Sequence, residues 1–138
     1  MGLINRNTDY AVRALCYISR RGEVVVPVTE LVKALKIPRP FLRKILQDLN
    51  KSGILESHKG KGGGFRLNVP AGRIFLTDLI EVFQGEVRIN ECIFKKNVCP
   101  DRKVCPLRKK VSLIEGRLLG ELKKITIGSL AKEGACHG

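Results

Sequence analysis

Ile54-Leu55-Glu56-Ser57-His58-Lys59-Gly60-Lys61-Gly62-Gly63-Gly64-Phe65-Arg66-Leu67-Asn68-Val69 reads as a β-hairpin. Residues 54–58 and 65–69 have strand composition, and the segment between them is glycine and lysine. Consecutive glycines permit positive φ and let the backbone approach another surface closely. A basic hairpin of this kind reads as a wing once the residues upstream are considered. Ala11, Ala14, Leu15 and Ile18 form the apolar stripe of a first helix running to about Arg20, with Thr8 as its expected N-cap. Val24 to Val28 is a short extended connection. Thr29 is expected to cap a second helix that turns Leu31, Val32 and Leu35 inward. Ile37-Pro38-Arg39-Pro40 is a turn, because proline stops one helix and is tolerated in the first turn of the next. A third helix over 39–51 carries Leu42, Ile45, Leu46 and Leu49.

Two short helices, a tight turn and a basic second helix make a helix-turn-helix, and the hairpin makes it winged. The expected fold class is mainly α with a small β-wing. Residues 1–84 form the winged helix-turn-helix domain, 85–105 a cysteine-bearing loop, and 106–138 a long helix for dimerisation with a C-terminal segment. A fourth helix, with Thr77 as its expected cap, carries Leu79, Ile80, Val82 and Phe83. From Pro106 to about Ile125 the apolar residues Leu107, Val111, Ile114, Leu118, Leu122 and Ile125 approach a heptad seam, which predicts a subunit contact. Gly134 to Gly138 reads as a loose tail.

The chain has 138 residues, enough for one domain with an appendage, and 43% of them are hydrophobic. Lys plus Arg number 26 against 13 Asp plus Glu, a net charge of +13, which favours a polyanionic partner. There is no Trp, which weakens a single-strand-binding reading. Between Arg39 and Arg66 lie seven Lys or Arg against Asp48 and Glu56. The first turn of the third helix, with Arg39, Pro40, Phe41, Arg43 and Lys44, is the candidate reader of base edges. Arginine can bind guanine through two parallel donors, whereas lysine more often meets phosphate. Thr29, His58, Lys59, Lys61, Gly62, Gly63 and Arg66 complete the expected duplex-DNA contact set, with Gly62, Gly63 and Gly64 permitting a close approach. The bland alternative is a solvated basic face. No phosphate loop, nucleophile motif or acid–base carboxylate pair is present, so an enzyme is not expected. The opening residues carry no apolar signal region and no stretch is long enough to span a membrane, so a cytoplasmic protein with reduced thiols is expected.

Cys92, Cys99 and Cys105 are spaced C-x6-C-x5-C in a polar segment without periodicity. Clustered loop thiols point to a disulfide, a metal or an iron–sulfur cluster. The spacing does not suit zinc ribbons, whose pairs are closer. Lys95, Lys96, Arg102 and Lys103 flank the thiols and favour thiolate. Cys16 reads as a small core residue, and Cys136 with His137 as part of the tail. An odd count of five cysteines argues against a closed disulfide framework.

Thr8-Asp9-Tyr10-Ala11-Val12-Arg13-Ala14-Leu15, Gly60-Lys61-Gly62-Gly63-Gly64-Phe65-Arg66-Leu67, the three cysteines, Cys105-Pro106-Leu107-Arg108 and Ile125-Thr126-Ile127-Gly128-Ser129-Leu130 together resemble the IscR/NsrR superfamily of winged-helix transcription regulators. The resemblance implies a homodimer holding one iron–sulfur cluster per subunit, whose loss or modification changes operator affinity. Cys92, Cys99 and Cys105 match the cluster thiolates. IscR-like members place a histidine three residues after the last cysteine, where this chain has Arg108. NsrR-like members use an aspartate at the start of the first helix of the other subunit, and Asp9 matches it. This implies 4Fe-4S in preference to 2Fe-2S, with nitric oxide, oxygen, redox state or iron–sulfur status as the signal. The family usually spaces its cysteines five and five, so the additional residue between Cys92 and Cys99 is a departure. Two other readings stand beside this one: a cluster-free regulator sensing thiol oxidation or a partner, and an iron–sulfur electron-transfer protein.

Overall fold

The computed structural model describes residues 4–85 and 106–133. Helix α1 (Arg6–Arg20) is followed by α2 (Val28–Leu35) and α3 (Arg39–Lys51). Strands β1 (Leu55–His58) and β2 (Gly64–Leu67) form an antiparallel ribbon in which Leu55 pairs with Leu67 and Glu56 with Arg66. A short 3-10 turn (Ala71–Arg73) leads to α4 (Leu76–Gln84), and α5 (Pro106–Leu122) and α6 (Ile127–Glu133) complete the described elements. This is the mainly helical, winged architecture expected from the sequence.

The main core lies where α1, α3, β1 and α6 meet. Ala11, Ala14, Leu15 and Ile18 of α1 pack with Leu42, Ile45, Leu46 and Leu49 of α3, with Leu55 and with Ile127. Each large side chain taken fully out of water contributes about 1.5–3 kcal/mol. Val26 bridges Phe65 through paired backbone bonds of 2.8 and 2.9 Å, so the wing gains a third strand segment. A second bridge, Phe75 to Thr126, fastens the start of α4 to the segment before α6. Thr126 and Ser129 cap α6 reciprocally, each backbone N–H donating to the other's hydroxyl at 3.2 and 3.1 Å.

Three helix caps differ from expectation. Asn5, not Thr8, caps α1, accepting from the Thr8 N–H at 2.8 Å. Thr8 lies one turn inside, fully buried, its hydroxyl donating to Gln84 Oε1 at 2.6 Å. Pro27 precedes α2, leaving Thr29 as an exposed residue within it. Phe75 precedes α4, and the Asp78 carboxylate accepts from the Phe75 N–H at 3.1 Å in the role expected of Thr77. Thr8 is drawn away by a tertiary bond, and at Thr29 and Thr77 the helix starts earlier, after Pro27 and Phe75. Cys16 is fully buried, as expected, but disulfide-bonded where a reduced thiol was expected. The odd count limits how many bridges can form and does not say which cysteine enters one. Cys92, Cys99, Cys105, Cys136 and His137 lie outside the described residues.

Candidate nucleic-acid interface

Helix α3 is amphipathic by construction. Leu42, Ile45, Leu46 and Leu49 recur at helical spacing and are all buried. The same turns must therefore send Arg39, Phe41, Arg43 and Lys44 outward, and all four are exposed. Pro40 occupies the first turn, where its missing N–H is tolerated. Phe41 is 54% exposed, an unusual placement for a large apolar ring. Arg39 and Arg43 flank it in sequence. Lys44 is partly engaged, 3.3 Å from Asp48. The tight turn before α3 depends on Lys36, whose φ of 56° is left-handed.

The wing adjoins α3 through β1. Alternation along the ribbon sends Leu55, Phe65 and Leu67 toward the core and Glu56, His58 and Arg66 to the other face, where His58 is half-buried with its Nε2 covered and without a hydrogen bond among the described residues. Lys59, Lys61 and Gly62 are exposed at the turn. The glycines there do different jobs. Gly60 and Gly62 have φ of 88° and 78° and open space around them. A Cβ on Gly63 would clash with the His58 carbonyl oxygen, and one on Gly64 with the Val26 carbonyl oxygen. Gly63 and Gly64 are thus required by the fold itself, before any partner approaches.

A cluster that sequence reading missed lies on that other face. Arg66 Nε donates to Glu56 Oε2 at 2.7 Å, and His58 Nε2 lies 3.6 Å from Glu56 Oε1. The bond from Arg66 holds the Glu56 carboxyl below its ordinary pKa of 4.5, and the neighbouring His58 adds to that pull. The signal was available, because Glu56 and Arg66 are equidistant from the glycine turn and pair as soon as the register is drawn.

Asp9 sits in the first turn of α1, about half exposed, with Oδ2 3.1 Å from Arg13 Nε. Its helix start is fastened to the end of α4, since the Asn5 N–H and the Thr8 hydroxyl both donate to Gln84 Oε1, at 2.9 and 2.6 Å. Among the described residues no group of three His, Cys, Asp or Glu could hold a metal ion. Among them, too, no helix is long and apolar enough to cross a membrane.

Comparison with known proteins agrees with this architecture. The chain is 32% identical over 130 residues to protein aau3 of Rhizobium meliloti, covering 94% of this chain and 84% of that one. It is also 32% identical over 123 residues to an Aquifex aeolicus protein named as an HTH-type transcriptional regulator, covering 88% and 85%. Its fold is similar to that of CymR, the global cysteine regulator of B. subtilis (TM-score 0.79, 19% identity, 96% and 98% covered). The T. potens IscR structure is similar as well (TM-score 0.69, 23% identity, 95% and 87% covered). Residues 4–133 match the Rrf2 model of iron-dependent transcriptional regulators, and the chain belongs to that family.

Proposed function

We propose that this transcriptional regulator is a homodimeric repressor whose operator affinity is set by an iron–sulfur cluster. The observation that carries the DNA-reading half is the solvent-facing first turn of α3, with Arg39, Phe41 and Arg43 all exposed next to a basic wing. Arg39 and Arg43 suit bidentate contact with guanine, while Lys44, Lys59 and Lys61 suit phosphate. Thr29, His58 and Arg66 supply further donors, and Gly62 keeps the wing tip slim.

Dimerisation through α5 is supported by its exposed apolar residues. Leu107, Leu113 and Ile114 are 58%, 64% and 58% exposed. Leu107 and Ile114, seven apart, share one helix face. Two recognition helices of such a dimer must sit about 34 Å apart to enter successive major grooves.

In this reading the cofactor is held by Cys92, Cys99 and Cys105 with Asp9 of the partner subunit, one cluster per subunit, 4Fe-4S in preference to 2Fe-2S. Asp9 fits such a role: its carboxylate is accessible and its ion pair with Arg13 is an exposed one, of the kind that contributes only about 0.3–0.5 kcal/mol. When bound, the cluster would supply a centre that nitric oxide or redox change can alter. Asp9, a hard ligand on a soft centre, is the weak point of the set.

Operator binding by anaerobically purified protein, with and without its iron and at one salt concentration, tests the gate. Affinity is expected to differ at least tenfold between the two forms, and equal affinity overturns the gate. A second reading, a cluster-free thiol regulator, is favoured by the disulfide at Cys16. Absence of iron and acid-labile sulfide from the anaerobic preparation would select it.

A further inference from the structure

We propose that Glu56 is a specificity-determining residue of the DNA interface, acting as a positioning residue through Arg66. The inference rests on the DNA-binding reading above and deepens it. Glu56 is the sole carboxylate between Asp48 and Asp78. It stands in a wing whose other charges are positive, directly opposite Arg66 in the ribbon register. The pair lies on the outer face, and the two side chains are 39% and 40% exposed. An exposed pair of this kind adds little to folding stability. Its placement on the face opposite the core matters more for what the wing meets.

The bond uses Nε, the inner nitrogen of the guanidinium. A carboxylate seated there leaves the outer Nη edge of the fork directed away from it. That edge is the part that makes parallel contacts with a base or phosphate. Pinning Nε removes side-chain freedom before contact, so a correctly placed acceptor is met at lower entropic cost. A misplaced acceptor gains nothing from the pinning. The negative charge on Glu56 also cancels one wing cation against any duplex, whatever its sequence. The charge lowers binding to every duplex alike, whereas the pinning favours the cognate acceptor over a misplaced one, so it is the pinning that widens the gap between the two.

Glu56→Gln tests this, because it keeps the shape and one acceptor oxygen while removing the charge. An operator is first selected from a randomised duplex pool with the unaltered protein. Affinities for that operator and for a scrambled duplex are then measured across a salt series. For Glu56→Gln, scrambled-duplex binding is expected to tighten about threefold to tenfold, with the salt slope steeper by about 0.9, the value of one further phosphate contact. The operator-to-scrambled ratio is expected to fall about fivefold to tenfold. Arg66→Lys, which keeps the charge and loses the fork, should lower the ratio similarly. The double variant should lose no more than the larger single loss, because both act through one contact. An unchanged ratio in Glu56→Gln, or additive losses in the double variant, overturns the proposal. Circular dichroism melting of each variant confirms that the fold is retained, and Glu56→Ala, which also removes the charge, serves in place of a Glu56→Gln that does not fold. If the unaltered protein cannot tell the selected duplex from the scrambled one, the DNA-reading function itself fails, which is a separate result.

Discussion

Helices α3 and α5 carry similar apolar patterns and put them to opposite use. In α3 all four residues of the stripe are buried within the chain's own core. In α5 only Val111 and Leu122 are buried, and Leu107, Leu113 and Ile114 stand in solvent. The C-terminal part of α5 and the turn after it do find partners, since Leu118, Leu122 and Ile125 pack with Leu76, Ile80 and Val12. In the N-terminal part Val111 is covered, while Leu107, Leu113 and Ile114 are left open. A periodic stripe therefore says that a helix packs, and leaves open whether the partner is the same chain or another.

The strongest way to break this contrast is in α3. Leu46 is fully buried, and Leu46→Ala should lower folding stability by about 2–5 kcal/mol, through lost burial and the cavity left behind. Leu113→Ala on α5 should leave the stability of the isolated chain nearly unchanged. Denaturant unfolding at low protein concentration checks both. Equal losses would show that the two helices are closed in the same way.

The glycine run sharpens the contrast, because Gly63 and Gly64 are closed in by backbone while Gly60 and Gly62 stand open. Gly64→Ala places a methyl against the Val26 carbonyl at a φ of +153°, and should cost about 2–3 kcal/mol by parting the bridge to Phe65. Gly62→Ala meets nothing within 4 Å and should cost only the left-handed backbone term, about 1 kcal/mol. Unfolding midpoints of the two variants separate them. Equal midpoints would mean that Gly64 serves turn conformation alone.

The extent of α3, the hairpin and the four core residues of α3 were legible because each depends on near neighbours: a stripe of fixed period, a proline at the helix start, glycines between strand-forming runs. The helix caps were not. Thr8 looks like a cap and is instead buried against Gln84, 76 residues away. The bridge from Val26 to Phe65 is also non-local, and with the positive φ it explains why Gly64 must be glycine. At the candidate site, the charged first turn of α3 was legible as an exposed basic face. The Glu56–Arg66 pair needed the strand register, which composition does not supply.

On α5 the expected effect falls on association. Ile114→Glu puts a charge on the exposed apolar face and should raise the dimer dissociation constant about thirtyfold, the equivalent of about 2 kcal/mol at an interface position. Sedimentation at several concentrations reads this directly, and melting of the dilute chain should stay unchanged. A variant that still sediments as the unaltered protein does would place the subunit contact elsewhere and remove the reason for the open face.

The smallest effect expected lies back in the closed region, at the junction of α1 and α2. The Tyr17 hydroxyl donates to Glu30 Oε2 at 2.7 Å, and Arg21 Nε meets the same oxygen at 2.9 Å. The bond to Glu30 raises the Tyr17 pKa above its ordinary 10.0, burial and the Glu30 charge add to the rise, and Arg21 opposes it. The folded chain thus favours the neutral phenol. Stability from this bond is fully present below the unfolded value near 10 and is lost as pH climbs through the higher folded one. Tyr17→Phe should lower stability by about 1 kcal/mol at neutral pH and flatten that alkaline decline. Denaturant midpoints between pH 8 and 11 provide the measurement. A variant that declines as steeply as the unaltered chain would assign the alkaline loss to another group and leave the α1–α2 junction held by packing and the Arg21–Glu30 pair.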